Sequence, residues 1–451
     1  MDDVRRPAAY DALDELSSPL RIPAAERSYS RQFAQVYDYR LAVLRRRVLA
    51  AATEQFGGAP PYVERVLDIP PKRLCFVIGT VYASMRLKPD VLQEIARDQS
   101  IVPQPVPTYA DPGHDELFIE DQSGRVRLVG EKIAAGGPLA NKFVTGAVVG
   151  VFGAETPDGD LEVADVACAG LPPPRALPHD TDAADAPYVV LASGLAMGGS
   201  STEHDMAYEL LLDWVSGALG QRSDAARISS LVLAGDSVQR TSWAPREAGI
   251  ERAPKGTAPP ASLASDLDPL LAELCATLDA VVMLPGANDP SSATLPQQPL
   301  LGGLLPRASA WPSLHRVTNP AWFALHGRTF LATAGQNVDD LVKYAVEDSS
   351  DTPPALAMAL ATLDWSHVAP TAPDTLWSYP FQRSDPFVLR AAPDVYVVGN
   401  QERYATATYA VGSGDTQHHV RVVLIPSFAR THEVVLLNMA TLEPRVVALR
   451  T

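Results

Sequence analysis

Leu231-Val232-Leu233-Ala234-Gly235-Asp236-Ser237-Val238-Gln239 is the stretch on which the fold turns. Four apolar residues run into a glycine and an aspartate, the pattern of a buried strand that ends in a tight turn. Three further stretches repeat this plan. Ser193-Gly194-Leu195-Ala196 follows the apolar run Tyr188–Ala192, Pro285-Gly286-Ala287-Asn288-Asp289 follows Val281–Leu284, and Gly399-Asn400-Gln401-Glu402 follows Val395–Val398. Each puts a loop at the carboxyl end of a strand. In open α/β sheets that edge is where ligands bind.

Oxygen and imidazole donors on such loops would suit a two-metal phosphodiesterase. That chemistry holds two cations about 4 Å apart, which clamp the phosphate and activate a water. Both coordination shells must be filled, so the loops need a bridging carboxylate and several His, Asp and Asn ligands. Their usual order is Asp-x-His, Gly-Asp-x-x-Asp, Gly-Asn-His-Asp, a further His, and Gly-His-x-His. Here Gly194 and Ala196 stand in the first slot. Asp236 keeps the first acid of the second, and Gln239 replaces the other. Ala287 and Asn288 stand for Asn and His in the third, where Asp289 remains. Ala334 takes the place of the further His, and Asn400 and Glu402 replace the last two histidines. Gly and Ala donate nothing, and Gln and Asn are weak uncharged ligands. The expectation is a phosphodiesterase-like frame with no catalytic residue, no metal and no cofactor.

The same residues have plainer readings. An Asp after a Gly at a strand end accepts backbone N–H bonds, which suits Asp236, and Asp289 before Pro290 reads as a turn residue. His418 and His419 are neighbours on a strand and point to opposite faces. His326 and His367 have no partner at ligand spacing. A competing reading keeps a reduced, single-metal hydrolytic site around Asp236, Asp289 and Glu402.

Outward from these loops, strands and helices alternate from Tyr188 to the end. Helices are expected at His204–Leu219, Pro269–Leu278, Val338–Ala345 and Leu356–Leu363, with later strands at Thr329–Thr333, Arg421–Ile425 and Val434–Leu437. This predicts a layered α/β domain over 188–451, with a Pro/Ala/Ser-rich surface insertion at 246–265. A Pro/Asp/Ala-rich linker spans 172–187. Before it, 59–171 reads as short strands with Gly-bearing turns: Leu74–Tyr82, Glu116–Ile119, Arg125–Val129, Phe143–Phe152 and Leu161–Ala167. Such a run suits a small Greek-key barrel of the OB type, with Phe76 and Phe118 in its core. Residues 1–58 form a tail and a helical arm, helical from Glu26 to Phe56, with Arg45, Arg46 and Arg47 on a solvated face.

Across 451 residues the formal net charge is -16, and there are three widely spaced cysteines. Nucleic-acid affinity rests mainly on Lys and Arg neutralising phosphates, so strong independent DNA binding is not expected, although an OB barrel can capture single strands. Cys75, Cys168 and Cys275 form no disulfide framework or metal motif. No signal-peptide core opens the chain at Met1–Arg6, and no apolar run reaches membrane-spanning length. A soluble intracellular protein is expected.

Several runs carry a resemblance to a known family. They are Glu26–Phe33, Leu295-Pro296-Gln297-Gln298-Pro299-Leu300, Val317-Thr318-Asn319-Pro320, Gly335-Gln336-Asn337-Val338, Pro370–Leu376, Tyr379-Pro380-Phe381 and Asp385-Pro386-Phe387. With Val397-Val398-Gly399-Asn400, they resemble the second (B) subunits of eukaryotic DNA polymerase delta over nearly the whole chain. The resemblance implies a helical arm, an OB fold and an inactive calcineurin-like phosphodiesterase domain. It implies an accessory subunit in the nucleus that docks the cysteine-rich carboxyl-terminal module of the catalytic subunit and a third, clamp-binding subunit. A similar dock to the polymerase zeta catalytic subunit is implied too, with DNA met only through the complex. Archaeal members keep the ligand set and are exonucleases, so the replaced ligands mark the difference. Candidate interface anchors are Trp311, Trp322, Trp365, Trp377 and Tyr379.

Overall fold

The computed structural model describes residues 9–57, 61–89, 106–178, 186–198, 202–220, 222–239, 264–346, 351–412 and 417–449. The expected insertion at 246–265 lies outside the described residues except for its last two positions. Among the described residues, no helix is long and apolar enough to cross a membrane.

The chain divides into two compact units. One joins Met1–Glu26, Pro174–Gln336 and Pro393–Thr451; the other joins Arg27–Pro173 and Asn337–Ala392. These borders cut across the expected ones. The first residues group with the α/β part, and 337–392 group with the barrel instead of the α/β domain.

In the first unit two six-stranded sheets pack face to face. One is built from β8 (Tyr188–Ala192), β9 (Ile228–Ala234), β10 (Ala280–Leu284), β11 (Leu314–Arg316), β17 (Glu433–Asn438) and β18 (Pro444–Ala448). Its order is β11-β10-β9-β8-β17-β18. The other contains β1 (Tyr10–Asp11), β12 (Ala321–Leu325), β13 (Arg328–Thr333), β14 (Val395–Gln401), β15 (Ala405–Val411) and β16 (His418–Pro426). These run β1-β12-β13-β14-β16-β15. Alternation along the first sheet explains its unbroken apolar runs. Val189, Leu191, Val232, Ala234, Val282 and Leu284 turn toward Phe323, Phe330, Val395 and Val423 of the second sheet. Their neighbours Val190, Leu231, Leu233, Val281 and Met283 turn the other way. They pack under the helices Thr202–Ser216 and Leu267–Thr277, on Leu211, Val215, Leu271 and Leu274. Strands β8, β9, β10 and β11 run parallel to one another, so their carboxyl ends share one edge, while β17 joins β8 antiparallel.

The second unit contains a six-stranded barrel. Its strands are β2 (Tyr62–Val63), β3 (Leu74–Ser84), β4 (Glu116–Glu120), β5 (Arg125–Val129), β6 (Val148–Glu155) and β7 (Leu161–Cys168). They are ordered β2-β3-β4-β5-β7-β6, and pairing of β3 with β6 closes the barrel. Helix Ala34–Phe56 lays Leu41, Leu44, Val48 and Ala52 over Phe76, Ile78, Val148 and Ala167. Phe118, expected in the core, is instead part-buried, paired with Tyr82 across the strands and covered by Arg125. The helix begins at Ala34, later than the expected Glu26; 27–33 form an irregular strap. The expected strand 143–152 starts only at Val148, because Gly146 lies at φ 85. A Cβ there would meet the Pro370 carbonyl oxygen at 2.0 Å and Arg40 Nη1 at 2.7 Å.

That crowding has a cause. Arg40 is fully buried, and its guanidinium is spent on four partners. Nε donates to Asp385 Oδ2 (2.7 Å), Nη1 to the carbonyls of Gly146 (3.1 Å) and Pro370 (2.7 Å), and Nη2 to that of Ala372 (2.7 Å). His367, which has no partner at metal-ligand spacing in the sequence, is the second neighbour of this carboxylate. Its Nδ1 accepts from the Ala369 N–H (3.2 Å), so Nε2 is the donor to Asp385 Oδ2 at 2.9 Å. Arg47 also departs from the expected solvated face; it donates to Ser366 Oγ and the Leu389 carbonyl, and burial pushes its pKa down. Burial, helped by the Arg40 charge, lowers His367 to about 4 against the pull of Asp385. Burial alone would raise Asp385, but His367 and Arg40 outweigh it and hold the carboxyl well below its usual range.

Removing one partner of a buried pair strands the other charge, at a cost of about 3–5 kcal/mol. Arg40→Ala should therefore lower denaturant stability by that order; an unchanged midpoint would contradict it. Unfolded His367 takes up a proton near pH 6.5, whereas the folded ring resists until about pH 4. Stability should therefore fall as pH drops through that window, and Asp385, held ionised by its partners, extends the fall below it. In His367→Gln the slope there should be shallower by up to about 1.4 kcal/mol per pH unit, measured by urea titration at each pH.

Candidate functional site

The four loops picked out in the sequence meet at the carboxyl edge of β8, β9 and β10, with the end of β14 beside them. Backbone bonds zip the first two together: Gly194 N–H donates to the Gly235 carbonyl (2.9 Å), Ala196 N–H to that of Asp236 (3.0 Å), and Gln239 N–H to that of Met197 (2.7 Å). Asp236 sits at φ 54 and Ala196 at φ 51, left-handed backbone at the point where each chain leaves its strand.

Asp236 is held by the third loop. Its Oδ1 accepts from the Asn288 N–H (2.9 Å) and its Oδ2 from Asn288 Nδ2 (2.8 Å). Asp289 turns inward and is buried. Its oxygens accept from the backbone N–H groups of Val238 (3.0 Å) and Gly286 (2.8 Å). Burial first, and the negative charge of Asp236 second, push the Asp289 carboxyl up to about 7, against those N–H bonds. Gly286 is glycine because Asp236 comes so close: a Cβ would lie 2.2 Å from Asp236 Oδ1. Its need is for room, whereas Gly235, at φ 84, supplies the tight turn that the sequence suggested for both.

Asn400, at φ 56, closes the other side. Its N–H donates to Ser193 Oγ (2.9 Å), and its Nδ2 donates to the carbonyls of Ala334 (2.9 Å) and Ala234 (3.3 Å). Gly194 lies under it at φ 61. A Cβ on Gly194 would fall 2.5 Å from Ser427 Oγ and 2.7 Å from Asn400 Oδ1. Ala334 is buried in the same floor. Gln239, Ala287 and Glu402 are exposed at the rim. Asp236, Asn288 and Asp289 are thus gathered in one cluster, and Gly194, Ala334 and Asn400 in another. Among the described residues no group of three or more His, Cys, Asp or Glu side chains is placed to hold a metal ion.

Sequence reasoning missed an amide network beside this edge. Asn319 Nδ2 donates to Gln297 Oε1 (2.8 Å) and Gln336 Oε1 (2.7 Å), and Gln336 Nε2 donates to Gln297 Oε1 (3.0 Å). Gln297 Nε2 donates onward to the Gly286 and Ser292 carbonyls, and Asn319 Oδ1 accepts from the Ala334 N–H. These amides belong to three of the runs that carried the resemblance. Their clustering fixes the loop that bears Gly286, Asn288 and Asp289. Gln297 and Asn319 are buried, and amides bonded to one another in this way rigidify such a loop. Of the proposed anchors, Trp322, Trp365 and Tyr379 are buried, while Trp311 and Trp377 are 42% and 47% exposed.

Restoring an acid at the first slot should be costly. Gly194→Asp places a Cβ inside contact distance of Ser427 and Asn400 and forces a non-glycine residue to positive φ. We expect a loss of about 2 kcal/mol or more, read as a lower thermal midpoint; an unchanged midpoint would show that the pocket floor can open.

Comparison with known proteins places these features. The family of the B subunits of DNA polymerases alpha and epsilon matches residues 189–406, and that of the DNA polymerase delta OB-fold domain matches 32–166. The chain is similar to the DNA polymerase delta small subunit of Arabidopsis thaliana, 36% identical, covering 99% of this chain and 97% of the relative. It is also similar to that of Saccharomyces cerevisiae, 31% identical, over 97% and 93%. The DNA polymerase II small subunit of Pyrococcus horikoshii is 26% identical over 49% of this chain and 35% of its own. A solved structure described as a novel archaeal phosphodiesterase aligns at 10% identity with a TM-score of 0.28, too low to equate the folds.

Proposed function

The chain belongs to the family of DNA polymerase delta small subunits, and from that premise we propose that it is a non-catalytic scaffold of a replicative polymerase. In this reading it docks the cysteine-rich carboxyl-terminal module of the catalytic subunit and a third, clamp-binding subunit. The polymerase zeta catalytic subunit is a further partner, and the nucleus is the place of work. The two-sheet unit is a calcineurin-like phosphodiesterase frame whose ligand positions have been given up.

One observation carries the non-catalytic part. Both oxygens of Asp236, the surviving acid at the loop edge, already accept hydrogen bonds from Asn288. Its neighbour Asp289 is turned away and held by backbone N–H groups. A paired-cation centre needs carboxylates and imidazoles facing one shared cavity. Here Gly194, Ala196, Ala287 and Ala334 offer no donor atom, and the amides Asn288 and Asn400 are spent on the protein itself. The rigid edge that results is suited to presenting a surface. Stable subunit interfaces are broad and apolar at their centre with aromatic and Arg anchors, and exposed Trp311 and Trp377 are of that kind.

Co-expression with the catalytic subunit's carboxyl-terminal module should yield a complex that survives gel filtration at micromolar concentration. Recovery of the two as separate species would defeat the scaffold reading. The purified chain should not hydrolyse a generic phosphodiester in Mn²⁺. Turnover that disappears in Asp236→Ala would instead support the reduced single-metal site.

A further inference from the structure

Strand β15, Ala405–Val411, ends one side of its six-stranded sheet, and among the described residues no strand lies beyond it. Which of its backbone groups face outward follows from the pairing of β16. Arg421 N–H donates to the Asp394 carbonyl (2.9 Å), on the side of β14. The backbone groups of a strand alternate in direction, and both groups of one residue point the same way. Val420, Val422 and Leu424 therefore turn theirs toward Tyr409, Ala407 and Ala405. The Val422 carbonyl also accepts from the Thr406 hydroxyl (2.8 Å), as a group on that side can. Thr406, Thr408 and Ala410 are left with their N–H and carbonyl groups directed away from the sheet. Thr408 and Ala410 are exposed.

Soluble proteins blunt such edges, and the other three edges of these two sheets are blunted. β1 is two residues long, β11 is three, and β18 opens on Pro444 and Arg445. Strand β15 has none of these devices. It is seven residues of Ala, Thr, Tyr and Val, paired with β16 in unbroken register, without charge, proline or bulge. The nearest charges in sequence, Glu402 and Arg403, precede the paired stretch and are of opposite sign. We propose that β15 is a docking edge for an extended, uncharged segment of a partner polypeptide, which joins the sheet as a further strand. Backbone bonds to Thr406, Thr408 and Ala410 would carry the affinity. Only an extended chain offers donors and acceptors at that repeat. A second copy of this chain is a poorer occupant. Two short strands of small side chains bury far less than the ~800 Å² per partner of a stable interface, and each copy carries -16. A single segment needs no such area, because its own chain can be held elsewhere as well. The inference needs only this edge, so its failure leaves the subunit reading untouched.

The test is to pan a random peptide display library on the full chain. Enriched sequences should carry an uncharged run of about five residues rich in Val, Ile, Thr and Tyr. A synthetic winner should bind at least about tenfold more weakly to Thr408→Pro, whose ring removes an outward N–H. It should bind as tightly as to the parent in Thr408→Val, which keeps that N–H. Proline is tolerated on an edge strand where its N–H side faces solvent, so both variants should melt close to the parent. In hydrogen exchange the Thr406, Thr408 and Ala410 amides should slow when the winner is added. No enrichment, winners without such a run, or equal affinity for the two variants would overturn the proposal. Unchanged exchange at these amides would place the winner elsewhere, and a parent dimer lost in Thr408→Pro would assign the edge to a second copy; either result also overturns it.

Discussion

The barrel-bearing unit depends on one buried ion pair. Arg40 projects from the helix Ala34–Phe56 into the buried interior. There it meets Asp385, more than three hundred residues away in sequence, together with three backbone carbonyls. An unpaired charge in that position would be prohibitive, so every group around it must be in register. Gly146 has to be glycine to let the guanidinium and the Pro370 carbonyl approach. His367 has to stay neutral for its Nδ1 to accept from the Ala369 N–H while Nε2 donates to the same carboxylate oxygen. The constraint explains why 337–392 group with the barrel: the segment carries Pro370, Ala372 and Asp385 to the helix.

A comparable logic governs the loop edge of the two-sheet unit, with hydrogen bonds in place of the ion pair. Asp236 and Asn288 satisfy each other, Asp289 is tied to backbone, and Asn400 bridges Ser193, Ala234 and Ala334. Buried polar groups must find partners, and here nearly all partners come from the chain itself. An edge bonded to itself in this way is stiff, although the buried Ser237 hydroxyl within it makes no hydrogen bond. Its stiffness is the property a scaffold would use, and the amides of Gln297, Asn319 and Gln336 extend that stiffness to the neighbouring loop.

Much of this was legible in the chain. Tyr188–Ala192 and Arg125–Val129 are strands over the residues their patterns indicated, because long apolar or alternating runs admit few other forms. Strands β12 and β15 were not recognised. Ala321–Leu325 is a short apolar run that periodicity cannot tell from a helix, and Ala405–Val411 is a partly exposed edge strand with weak contrast between its faces. The loop residues of the candidate site were legible by type and order, but their partners were not. Nothing in the spacing of Asp236 and Asn288, or of His367 and Asp385, tells that they touch, since these contacts depend on tertiary placement. Arg47 and Phe118 failed for the same reason: a helix or strand pattern locates a face, while the neighbour that covers it comes from elsewhere in the chain.

The central claim is that the loop edge is closed by the protein's own hydrogen bonds and holds no pair of cations. Anomalous diffraction from crystals soaked in manganese addresses it most directly. The account predicts no ordered ion within bonding distance of Asp236, with the Asn288 bonds intact. Two well-ordered ions bridged by Asp236 or Asp289, with those bonds broken, would contradict it.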